Sequence, residues 1–206
     1  TGLDVAAPDG DGPGHRLATS APLGSQGLVI GLDATAPGAE QTGINFRPGD
    51  AKRLLILGDD AAAPAVCSIL KQLPTHAAEV EAVVEVPQLA RRIEAGPDDH
   101  WTDSRGNRIN IRWQERLGER GDRLAEAIED HLHRFPLPRC QQDSPEEGPD
   151  DLLWNTPASP PQEFYSWIAG ESTMVRRLRR ILVNDHGVDR RHIAFMGYWR
   201  HGSAGM

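Results

Sequence analysis

Apolar residues along this chain gather in short runs divided by polar, glycine-rich turns. Arg53 to Leu57, RLLIL, has no polar break, which suits a strand covered on both faces. Val80 to Val86 (VEAVVEV), Ile109 to Trp113 (INIRW), Phe164 to Ala169 and His192 to Tyr198 read as further strands. Between them the period changes. Val66, Ile69, Leu70 and Leu73 repeat at helical spacing, with Pro64 tolerated in a first turn because its missing amide has no partner there. Pro87 to Ala95 reads as a short helix ended by Gly96-Pro97, and Leu124, Ile128 and Leu132 stripe a helix over Arg120 to His133. In a last helix Met174, Val175, Leu178, Ile181 and Leu182 share an arc of about 120°, opposite Arg176, Arg177, Arg179 and Arg180. Ser172 or Thr173 is its expected N-cap and Gly187 its stop. The alternation predicts an α/β fold, a five-stranded, mostly parallel sheet flanked by helices on both faces.

The flanking sequence is of another kind. Residues 1–50 hold one short apolar run, Gly27 to Leu32, too little to offset their ordering entropy as an independent domain. This sets a boundary between residues 1–50 and a domain over 51–206. Phe135 to Gln162, with its DSPEEGPDD segment, reads as an exposed loop. The formal net charge of −8 argues against nucleic acid as the main partner, and the basic residues cluster towards the C-terminus. Two cysteines, Cys67 and Cys140, make neither a disulfide framework nor a zinc site. Cys67 fits a small core residue. His131 and His133, two apart, point to different sides of a helix and read as surface residues rather than a metal pair. With no apolar run of membrane-spanning length and no signal peptide in residues 1–20, the expectation is a cytoplasmic protein.

Ligands of open α/β sheets sit at the carboxyl ends of the strands. Two such ends carry glycine turns into helices, Gly58-Asp59-Asp60-Ala61-Ala62-Ala63-Pro64 and Gly170-Glu171-Ser172-Thr173. Each is either a tight connection or a place where backbone approaches a ligand. Asp59 and Asp60 suit a helix start but would repel a pyrophosphate, so they are expected to cap the helix rather than touch the ligand. The helix arginines are either a solvated face or a landing surface for phosphate or carboxylate.

GDDAAAPAV at Gly58 to Val66, WIAGES at Trp167 to Ser172, the arginine-rich helix and GYWRHG at Gly197 to Gly202 together resemble the nucleotide-binding part of the siderophore-interacting proteins, a family similar to ferredoxin reductases. The resemblance runs from about Asp11 to the C-terminus. It implies a reductase that uses NAD(P)H and FAD to reduce the iron of a ferric siderophore, with the redox chemistry carried by the cofactors and no acid–base catalyst. Asp11 to Ala21, including Gly12 and Pro13, resembles the family's flavin-diphosphate segment, with Leu17 where an aromatic is usual. Leu23 to Leu32 resembles the last strand of its flavin barrel. The barrel's Arg-x-Tyr-Thr motif does not occur in residues 1–50, so a short barrel remnant is expected before the NAD(P)H-binding domain, with little or no FAD held by this chain. By the same resemblance Gly58, Asp59, Ala61 and Pro64 belong to the pyrophosphate turn, Gly170 and Glu171 lie near the nicotinamide, and Arg176, Arg177, Arg179, Arg180 and Arg200 attract phosphates or an anionic siderophore. Glu85 either meets the adenosine ribose or is a solvated strand-end acid. Tyr198 and Trp199 either cover a cofactor ring or are edge aromatics. The rival expectation is a non-catalytic nucleotide-binding or interaction module of a larger reductase or transporter.

Overall fold

A computed structural model of the chain describes residues 45–75, 79–93, 95–96, 99–140, 154–155 and 163–202. The sequence readings on Gly12, Pro13, the Leu23 to Leu32 strand and most of the acidic loop fall outside those residues. The chain divides into two compact units, Ile44–Tyr198 and a second made of Thr1–Gly43 with Trp199–Met206.

The first unit is built on strands β1 (Arg53–Asp59), β2 (Glu79–Val86), β3 (His100–Thr102), β4 (Arg108–Glu115), β5 (Trp154–Asn155), β6 (Phe164–Glu171) and β7 (Ile193–Trp199). Three α-helices accompany them among the described residues: α1 (Ala63–Lys71), α2 (Asp122–Arg134) and α3 (Ser172–Arg180). The strands form one sheet in the order β3-β4-β2-β1-β6-β7-β5. It is seven-stranded and mixed, not five-stranded and mostly parallel, because β3 runs antiparallel to β4 and β5 antiparallel to β7. Those two added strands are three and two residues long, too short to leave a periodic signal. The expected helix at Pro87 to Ala95 is only a 3₁₀ turn, Leu89–Arg91.

Alternation explains the apolar runs. Leu54 and Ile56 face the layer of α1, whereas Leu55 and Leu57 face that of α2 and α3, so a strand between two helical layers has no polar position to offer. On β2, Val80, Ala82, Val84 and Val86 pack on the α1 side and Val83 on the other. Glu81 and Glu85 share the face of Val83, both beneath α2, and both are buried. Glu85 accepts from Gly121 N and Arg123 N at the start of that helix. Glu81 accepts from Arg134 Nη2 at 2.6 Å and lies 2.7 Å from His131 Nδ1 at the helix end. One strand thus holds both ends of one helix. His131 is therefore buried, not a surface residue, as its pairing with Glu81 offsets the cost of burial.

Candidate functional site at the carboxyl edge of the sheet

Strand order reverses between β1 and β6, the position where open α/β sheets receive ligands. The parallel register pairs Gly58 with Ala169, which brings the two glycine turns side by side. Asp59 joins them. Its Oδ1 accepts from Ala61 N at 3.0 Å and Ala62 N at 3.3 Å, within its own turn. Its Oδ2 accepts from Glu171 N at 3.0 Å, across the reversal, and faces Arg120 Nη1 at 3.5 Å. The residue is fully buried.

Both glycines are required by close approach. A Cβ on Gly58 would come within 2.8 Å of Ala62 Cβ, and one on Gly170 within 2.6 Å of the Asp59 carboxyl carbon. Gly170 also has φ 142°, a region L side chains rarely adopt. After it, Glu171 caps α3: its Oε2 accepts from Thr173 N at 2.7 Å and Met174 N at 2.9 Å. The cap is this acid rather than Ser172 or Thr173. Ser172 is buried with its Oγ against Gly197, where a Cβ would sit 2.6 Å away.

Asp60 and two arginines extend the charge network towards β2 and β4. Arg116 Nε donates to Glu85 Oε1 at 2.8 Å. Glu85 is fully buried with both oxygens engaged, so it neither meets a ribose nor lies solvated: a strand-end acid has been turned under a helix N-terminus, where negative charge is favoured. Tyr198, at the end of β7, is 44% exposed. Burial and then the negative charge of Asp59 push its hydroxyl above the ordinary tyrosine value.

The remaining expected residues are spread around this edge. Ala61 and Pro64 are exposed at the start of α1. On α3, Arg177 donates to Asp122 Oδ1 at 2.8 Å, Arg179 stacks over Phe195 at 4.4 Å, and Arg180 is exposed. Arg176 Nε is buried with no hydrogen-bond partner. Trp199 and Arg200 belong to the other unit. Sequence reasoning missed the roles of Arg116, in a polar loop with no period, and Arg120, read only as a helix start, because the pairing partners Asp59, Asp60 and Glu85 are 31 to 61 positions away.

A dinucleotide fits this edge in one respect and not in another. The turn amides that would cradle a pyrophosphate are already taken, by Asp59 at the first turn and by Glu171 at the second. Cationic side chains stand near this edge, Arg116 and Arg120 paired with Asp60 and the buried acids Glu85 and Asp59, and Arg176 on α3, and planar guanidinium groups suit phosphate. Three surface grooves of about 590, 440 and 600 Å³ lie elsewhere, along β2, β4 and the end of α2, and Gly58, Gly170 and Tyr198 line none of them.

An open α/β sheet with helices on both faces and charged residues at the strand-order reversal has the doubly wound architecture. The family model described as siderophore-interacting protein matches residues 51–202, and the chain belongs to that family. Among solved structures, a siderophore utilization protein from T. fusca is similar with a TM-score of 0.54 and 23% identity, over 95% of this chain and 59% of that one. The siderophore-interacting protein SipS from Aeromonas hydrophila gives 0.53 and 20%, over 93% and 63%. At these identities the likeness is one of fold. This chain spans less than two thirds of either protein. A search of curated proteins gave no match. No helix among the described residues is long and apolar enough to cross a membrane.

Proposed function

We propose that this chain is the NAD(P)H-binding part of a flavin-dependent reductase that releases iron from a ferric siderophore. The observation that carries the reading is the meeting of the Gly58 and Gly170 turns at the strand-order reversal in a member of the siderophore-interacting family. Residues 51–206 form the nucleotide-binding domain in this reading, and residues 1–50 end the flavin domain. Gly58, Ala61 and Pro64 shape the first turn, and Asp59 fixes it against the second. Gly170 and Glu171 border the nicotinamide, with the half-exposed Tyr198 ring beside them. The phosphates fall to Arg116, Arg120 and the α3 arginines Arg176, Arg177 and Arg180, Trp199 covers a ring of the flavin or nicotinamide, and Arg200 attracts phosphate or an anionic siderophore. When bound, the nicotinamide and flavin supply the chemistry, a hydride passed between them and single electrons passed on to Fe(III). The protein's own part is to bind, orient and neutralise charge, with no residue acting as acid or base.

The test is an absorption experiment on the full-length protein. A flavin spectrum that bleaches on adding NADPH or NADH and returns on adding a ferric siderophore is the expected result. A full-length protein that carries no flavin and oxidises neither nucleotide would reduce this chain to a non-catalytic binding module.

A further inference from the structure

Strand β4 outruns the short strand beside it. β3 pairs with Arg108 to Asn110, and the Ile111 amide donates to Asp99 O at 2.7 Å, but on that side no described segment pairs with β4 beyond Ile111. Backbone groups alternate in direction along a strand. Ile111 N points outward to Asp99 and Arg116 N inward to Val86 O on β2, so the N–H and C=O groups of Trp113 and Glu115 point outward, at an open edge. Such an edge is a template for another strand unless something blocks it. The side chains along it point the same way. The groove of about 600 Å³ beside this edge is lined in part by Leu89, Arg92, Ile111 and Trp113. Leu117, just past the end of β4, is 73% exposed, and Leu89 is 46% exposed. Arg92 and Glu115 are also exposed, and neither forms an ion pair among the described residues.

We propose that this edge is a homodimer interface, in which the β4 strands of two copies pair antiparallel about a two-fold axis at Gln114. That register uses every open backbone group. Trp113 of each copy exchanges both backbone bonds with Glu115 of the other, and Asp99 obstructs neither pair. A register centred on Trp113 would instead bring Glu115 opposite Ile111, whose outward amide Asp99 already occupies. With Gln114 on the axis, the exposed Leu117 falls opposite Ile111 of the other copy, against the groove that Ile111 and Leu89 line. Glu115 comes beside Trp113 of the other copy, which shares that groove with Arg92, so the acid of one copy meets the unpaired base of the next. The edge is complementary to itself in backbone, apolar surface and charge, as an isologous interface requires. An unrelated strand would have to bring these groups; a second copy carries them in register.

Sedimentation equilibrium of the whole chain tests it, using wild type, Leu117→Asp, Glu115→Arg and the exchange of Glu115→Arg with Arg92→Glu, each checked for an intact fold by circular dichroism. Wild type should dimerise reversibly with concentration. Leu117→Asp should weaken the dimer roughly tenfold or more, and Glu115→Arg roughly threefold to tenfold. The exchange should restore most of what Glu115→Arg loses. Cross-linking reads the register. In a Cys140→Ser background, Gln114→Cys should form an intermolecular disulfide on mild oxidation, because residues facing each other at a non-hydrogen-bonded antiparallel position have Cα atoms about 4.5 Å apart, within disulfide reach. Asn110→Cys, on the same face but far from the axis, should not. A chain that stays monomeric at every concentration overturns the proposal, as does a dimer indifferent to both Leu117→Asp and Glu115→Arg. Failure of Gln114→Cys to cross-link, or equal cross-linking through Asn110→Cys, also overturns it.

Discussion

Asp59 is the residue through which the two turns of the site depend on each other. Its carboxylate takes three backbone amides and faces one guanidinium, and it is wholly shielded from water. Asp59→Asn is nearly isosteric, yet it replaces one acceptor oxygen with an NH₂ that points its hydrogens at amide donors. Hydrogen bonds to a charged group are worth about 1.5–3 kcal/mol each, so we expect a loss of about 2–4 kcal/mol in urea unfolding. A loss below about 0.5 kcal/mol, the range of an ordinary surface change, would mean that the joint is not formed. The sequence marked Asp59 as a helix-start acid, which it is. What it could not reveal is that the same carboxylate reaches a turn 112 positions away, because no local pattern encodes a partner on another strand.

At the scale of elements, β2 and α2 form a clamp whose two ends differ in character. Glu85 meets bare amides at the helix start, whereas Glu81 meets His131, Arg112 and Arg134 at its end. Burial works to raise the Glu81 carboxyl, but the His131 hydrogen bond and the charges of His131, Arg112 and Arg134 outweigh it and hold the group down to about 2. A carboxylate depressed in the folded state contributes stability above its ordinary value of 4.5 and loses it as pH falls towards 2. Unfolding curves for Glu81→Gln should therefore show a flatter acid limb across that window than wild type, and parallel limbs would refute the pairing. The five long strands were legible because continuous or alternating apolar runs report burial on two faces. The two acids within VEAVVEV were not, since period alone places them on one face and does not say whether that face meets water or a helix. On α3 the basic face was legible too, but its use was not: Arg177 pairs with Asp122, Arg179 stacks on Phe195, and Arg176 is part-buried. The Arg177 pair is 41% and 37% exposed, so replacing Arg176, Arg177 and Arg180 together with Ala should leave the fold nearly unchanged. The same variant should weaken a phosphorylated nucleotide, read by calorimetric titration with NADPH; unaltered affinity would make this face plain surface.

For the whole molecule, the family and the α/β architecture followed from sequence, and the mixed edges of the sheet did not. This chain covers 59% and 63% of the two similar solved structures named above, and the residues resembling a flavin segment lie outside those described. We expect the purified chain to retain far less than one equivalent of FAD by absorbance after denaturation, and stoichiometric flavin would contradict the reading of residues 1–50 as a barrel remnant.

The Asp59 joint has a consequence in time as well as in space. Amides that share one buried acceptor are released when that acceptor lets go, so Ala61 and Glu171 should exchange their hydrogens at linked rates although they lie in separate turns. The two turns would then open as one event rather than two.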